Sequence, residues 1–209
     1  RACPSPAGCL DKPMIAAGPL PDDPARPLVV LCYAANGLRC RRSVDGGASF
    51  GRSVLAAPGF YGDVRVDRRG RVHVVVTSGP GGFTSPGWFG SEQNRVVYAR
   101  SDDGGVTYRQ VSVASAMGER VPMYFSNAQV VRDEARSLTH VVYPAGAGVA
   151  WDIVVATSRD DGLTWTRRRA NDDAPCATHM TPSAALDPAT GGLHLLWLES
   201  RDGRGAAVW

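Results

Sequence analysis

The octapeptides SVDGGASF, SDDGGVTY and SRDDGLTW begin at Ser43, Ser101 and Ser158, so one pattern recurs after 58 and then 57 residues. Near-constant spacing marks an internal repeat, and a repeat restricts the fold to copies of one supersecondary unit. Each residue type in the pattern has a physical task. Asp45, Asp103 and Asp160 can turn their carboxylates onto nearby backbone N–H groups and so build a tight turn. Gly47, Gly105 and Gly162 supply positions where positive φ carries no Cβ penalty. Ser49, Thr107 and Thr164 can add a hydroxyl bond as the chain re-enters a strand. Phe50, Tyr108 and Trp165 place an aromatic body beneath each turn. The aspartates read as turn builders, not as catalytic groups.

The segments between the turns complete the unit. Upstream of the three turns lie the paired runs LVVLCYA and GLRCRRS, RVHVVVT and RVVYARS, and LTHVVYP and WDIVVATS. A shorter run precedes each pair (KPMIAA, GDVRVD, NAQVVRD), and another follows each turn. About four short strands per module, rich in β-branched residues and split by Gly, Pro and Asp, describe the blades of a β-propeller. The expected blades are 11–57, 58–115, 116–170 and a partial fourth at 171–209, in one propeller domain or part of one. A missing remainder, or self-association with a second copy, is expected to complete the ring.

Composition narrows the function classes. The formal charge of +3 on 209 residues argues against a nucleic-acid partner. No apolar run approaches the ~20 residues of a membrane-spanning helix. Arg167, Arg168 and Arg169 read as a solvated edge strand, where charge opposes strand-to-strand aggregation. Of the five cysteines, Cys32 and Cys40 flank an Asn36-Gly37 hairpin turn. A three-residue loop at 35–37 would set Cys32 opposite Cys40, whereas a two-residue loop would put them out of register. Cys3 with Cys9 is the next candidate bridge, with Cys176 unpaired or paired elsewhere. Bridges of this kind suit a secreted, periplasmic or cell-surface protein.

The repeated Ser-x-Asp-x-Gly-x-Thr-aromatic turn resembles the Asp box, or bacterial neuraminidase repeat, of the sialidase superfamily. The turns at 43–50, 101–108 and 158–165, with the strands between them, cover most of the chain. The opening DKPMIAAG, followed by a strand pair and such a turn, is similar to the first blade of secreted bacterial sialidase-like proteins. The resemblance implies an all-β, sialidase-like β-propeller of four-stranded antiparallel blades, six in the whole ring. It implies a glycoside hydrolase acting on glycans or a non-catalytic propeller that binds a glycan or protein. Sialidases carry Arg-Ile-Pro in the first blade, where this sequence has Asp11-Lys12-Pro13, so no catalytic residue transfers by motif.

Blade geometry locates the candidates. The aspartate turns join third to fourth strands at one face, so second-to-third and inter-blade loops emerge at the other. Along the longest such loop, 78–93, Trp88 and Phe89 could stack on sugar faces or pin the loop, and Glu92 could act as acid or base. Asp11, Tyr61, Asp63, Tyr124 and Asn127 fall where innermost strands begin, with Asp11 and Asp63 the other carboxylate candidates. His179 lies in an inter-blade loop and is a further ligand candidate. His73, His140 and His194 share one register on successive second strands, and rotation about the axis keeps them apart. Neither a metal nor a cofactor is expected.

Overall fold

In the computed structural model, which describes residues 11–78, 95–114, 121, 127–147, 150–172, 177–200 and 207–208, the β-like runs become strands of four antiparallel sheets. Sheet 1 holds β1 (Asp11–Leu20), β2 (Asp23–Ala34), β3 (Leu38–Ser43) and β4 (Val54–Ala57). Sheet 2 holds β5 (Tyr61–Val66), β6 (Val72–Ser78), β7 (Arg95–Ser101) and β8 (Arg109–Ala114). Sheet 3 holds β9 (Gln129–Asp133), β10 (Leu138–Ala147), β11 (Ala150–Ser158) and β12 (Thr166–Arg169). Sheet 4 holds β13 (Thr178–Leu186), β14 (Leu193–Ser200) and β15 (Ala207–Val208). Strands follow chain order within every sheet, and the first strands β1, β5, β9 and β13 lie side by side in that order. No helix occurs among the described residues. This is the blade arrangement of a sialidase-like propeller.

The sheets pack face to face through alternate residues of each strand, as the two-residue period requires. Leu28, Val30, Cys32 and Leu38 of sheet 1 meet Val64, Val72, Val74 and Val76 of sheet 2. From the other face of sheet 2, Val75, Val96 and Tyr98 meet Val130, Val141 and Tyr143 of sheet 3. Val142, Ile153 and Val155 then meet Leu193, Leu195 and Trp197 of sheet 4. Strand β6 is buried throughout because both of its faces are covered. Each buried valine contributes about 1.5 kcal/mol or more over its exposed state. Strand β12, at an outer edge, keeps its arginines exposed.

Local chemistry fixes the hairpins. Residues 35–37 form a three-residue loop, with Ala34 opposite Leu38 and Cys32 opposite Cys40. Those two cysteines are joined in a disulfide. The other cysteines (Cys3, Cys9 and Cys176) lie outside the described residues.

Arginines link successive sheets at the aspartate-turn end. Arg42 donates from Nη1 to the carbonyl oxygens of Asp103 and Gly104 (3.0 and 3.3 Å). Arg100, the corresponding residue of sheet 2, donates to the carbonyl of Asp161 (2.7 Å). Gly162 seals the second junction, because its φ of +87° suits glycine and a Cβ there would strike the Tyr98 ring.

Candidate functional site

The three repeated turns are closed hydrogen-bond systems. Ser43, Ser101 and Ser158 each accept from the N–H of Gly47, Gly105 or Gly162, and each donates to the carboxylate of its own turn. Each carboxylate then accepts the N–H and the hydroxyl of Ser49, Thr107 or Thr164. For Asp160, the Thr164 hydroxyl, the Thr164 N–H and the Ser158 hydroxyl pull the pKa down to about 2. Hydroxyl bonds from Ser43 and Ser49 pull Asp45 down as well. Trp165 donates from its indole to the Gly162 carbonyl (3.2 Å) and meets Tyr98 edge-on. These turns have little acceptor capacity left for a ligand.

The opposite, loop-side end gathers the other candidates. Asp11 opens β1 opposite Ala34, and a register shift follows it before Met14. Within that irregularity Lys12 adopts φ +52°, and its ammonium lies 5.3 Å from the centre of the Tyr61 ring. Bulges re-aim side chains in this way. Tyr61 opens β5 and is buried, with Phe60 packed against it.

Two residues on, Asp63 is buried and accepts from the N–H groups of Val64 (2.9 Å) and Val130 (3.2 Å). It also pairs with Arg65 at 2.7 Å. Burial raises its pKa, outweighing the Arg65 charge and the two N–H bonds that lower it. Asp63 thereby ties the first strand of sheet 2 to that of sheet 3. Asn127 precedes β9 with φ +26°, and its carbonyl accepts from Gln129.

On sheet 4, His179 is buried, its Nδ1 lies 2.6 Å from the Trp151 carbonyl, and its Nε2 lies 3.8 Å from Glu199. The structure brings Lys12 over Tyr61 across β1 and β5, turns Asp63 to the first strand of sheet 3, and places His179 with Glu199 at the junction of sheets 3 and 4. Trp88, Phe89, Glu92 and Tyr124 lie outside the described residues. A hollow of about 390 Å³, lined by Pro58, Ser78, Arg95 and Gln110, opens where β6 ends and β7 begins.

Sequence reasoning missed two groups. Glu199 is visible only once cross-strand register sets it opposite His179. The other is a buried chain at the aspartate-turn end. Asp67 accepts from Arg71 Nε (2.6 Å) and His73 Nε2 (3.1 Å), leaving His73 Nδ1 to accept from the Tyr98 hydroxyl (2.6 Å). Arg71 and Arg132 both reach Asp161, in the third aspartate turn. A signal existed, because Asp67, Asp133 and Asp187 all begin first-to-second-strand turns and accept from N–H groups two to four residues on.

No protein-family model matches the sequence, and no curated protein matches it. Solved structures do share the fold. A protein of unknown function from Dyadobacter fermentans superposes with a TM-score of 0.61 at 16% identity, over 93% of this chain and 58% of that one. The NanB sialidase of Streptococcus pneumoniae gives 0.57 at 14% identity, over 81% of this chain and 25% of the sialidase. A Trypanosoma rangeli sialidase mutant displaying trans-sialidase activity gives 0.54 at 15% identity, over 96% of this chain and 37% of that one. The chain thus spans between a quarter and three-fifths of these proteins' lengths. At such identities the similarity establishes the class of fold, a sialidase-like β-propeller.

Proposed function

We propose that this chain belongs to a secreted, glycan-active propeller, that its three aspartate turns are Asp boxes, and that its ligand sits at the loop face opposite them. The observation that carries the reading is a buried carboxylate, Asp63, near the start of β5, two residues after the Tyr61 ring that Lys12 of the neighbouring first strand approaches. The two sialidases among its structural relatives and the Cys32–Cys40 bridge support it. As a glycoside hydrolase, it would use Asp63, whose pKa is raised by burial, as the proton-carrying carboxyl.

A non-catalytic propeller binding a glycan or protein is the second reading. It is favoured by the three donors that already occupy the Asp63 carboxylate. Hydrolysis assays on a panel of sialyl, uronyl and neutral glycosides, with parallel titrations, test both. If the enzyme reading holds, Asp63→Asn cuts turnover roughly 100-fold or more while the glycan still binds. Saturable binding with no hydrolysis by the wild type supports the binding reading. Absence of both refutes a glycan role.

A further inference from the structure

The hollow of about 390 Å³ where β6 ends and β7 begins lies at the junction of sheets 1 and 2, and this chain supplies both of its walls. Pro58, just past β4, closes it from the side of sheet 1, while Ser78, Arg95, Val97, Gln110 and Ser112 belong to sheet 2. Ser78 stands opposite Arg95 and Val97 opposite Ser112, so these four share one face. That face meets sheet 1, because Val97 packs into the core that the two sheets form. Gln110 donates from its side-chain amide to the Ala56 carbonyl (3.1 Å), which holds it against the wall and leaves Oε1 as an acceptor.

The repeat does not call for this chemistry. With Ser101 aligned on Ser158, the registers match Arg95, Ser78 and Ser112 to Asp152, Ala145 and Arg169 of sheet 3. There the charges cancel within the sheet, since Arg169 lies 3.5 Å from Asp152, and Ala145 is buried. In sheet 2 the guanidinium keeps its charge uncompensated. Among the described residues Arg95 has no carboxylate within 4 Å, whereas Arg65, Arg71, Arg100, Arg132 and Arg136 each do.

We propose that this hollow binds a sugar acid, with the Arg95 fork on the carboxylate and Ser78 and Gln110 on the ring hydroxyls. A guanidinium matches a carboxylate in bidentate geometry, and hydroxyl and amide groups both donate and accept, as sugar hydroxyls require. Val97 and Pro58 offer an apolar surface to the C–H face of the ring. The volume falls within the ~300–1,000 Å³ of small-molecule sites. The site is separate from Asp63, which joins sheet 2 to sheet 3, and it does not depend on hydrolysis there.

Calorimetric titrations at constant ionic strength, with glucuronic acid, glucose and sodium acetate as separate probes, test the proposal. Glucuronate is expected to saturate with a Kd of about millimolar. Glucose lacks the charge and acetate lacks the ring, so each should bind at least about fivefold more weakly. Arg95→Gln should weaken glucuronate binding roughly tenfold, the worth of a charge-assisted hydrogen bond, and Arg95→Lys, which keeps the charge but loses the fork, should weaken it less. Arg68→Gln, which removes an exposed charge at the aspartate-turn end, should leave binding unchanged. Melting curves verify folding, and Gln110→Ala, at a second exposed wall position, replaces any variant that melts early and should also bind more weakly. No saturation by glucuronate, acetate binding as tightly as glucuronate, or full affinity in the folded Arg95→Gln or Gln110→Ala variant would each overturn the site. Turnover does not enter this readout, so failure here is distinct from failure of the Asp63 reading.

Discussion

Replacing Asp67 with alanine tests whether the junction between sheets 2 and 3 depends on its buried polar chain. The carboxylate is 2% exposed and accepts from four donors: the N–H groups of Arg69 and Arg71, Arg71 Nε and His73 Nε2. Although burial alone would raise its pKa, the bonds from His73 and Arg71 win and hold it below the ordinary value of 3.8. Removal leaves the largely buried Arg71 guanidinium without its nearest counter-charge, and breaking one side of such a pair costs about 3–5 kcal/mol. For a chain of this size, each kcal/mol lowers the melting temperature by roughly 2–4 °C, so a fall of about 10 °C is expected by circular dichroism.

The pH dependence supplies a second arm. A depressed folded-state pKa stabilises above the unfolded value and loses that contribution as pH falls through the folded value. The gap between wild type and Asp67→Ala should therefore be full at pH 7 and narrow progressively below about pH 4. A melting temperature within about 2 °C of wild type at pH 7, or a gap independent of pH, would refute the reasoning.

Two other outcomes follow from local geometry. Replacing Cys32 and Cys40 together with alanine removes a link across eight residues of sequence, which should cost about 2.5 kcal/mol in denaturant unfolding, with no cost relative to reduced wild type. Gly162→Ala combines a positive φ with a clash against Tyr98 and should destabilise by roughly 2–4 kcal/mol. Gly46→Ala, with φ +73° and nothing within 4 Å, should lose only the conformational part. Equal losses in the two glycine variants would show that the Tyr98 contact is unimportant.

The aspartate turns were legible because every bond that makes one joins residues within four positions of each other. Strand order was legible for a related reason: hairpin-connected strands pair with their chain neighbours, and β-branched runs announce them. The bond from Arg42 to Asp103, by contrast, spans 61 positions, and the one from His73 to Tyr98 spans 25. Sequence placed His73, His140 and His194 in one register of successive second strands. It could not say that the first is fully buried between Asp67 and Tyr98 while the second bonds to Thr157.

The candidate site divides along the same line. Tyr61 and Asp63 were identified by position at the start of a first strand. The third donor to Asp63, the N–H of Val130, comes from the next sheet, and pattern alone cannot supply it. In the sequence Lys12 stands out only as the middle residue of Asp11-Lys12-Pro13. Its approach to Tyr61 depends on the irregularity between Asp11 and Met14, and local sequence encodes such an irregularity weakly. A propeller repeats its scaffold bonds at one end, whereas the other end carries residues that differ from sheet to sheet. Periodicity therefore reveals the repeated turns and leaves the chemistry of the loop face to be read from contacts between sheets.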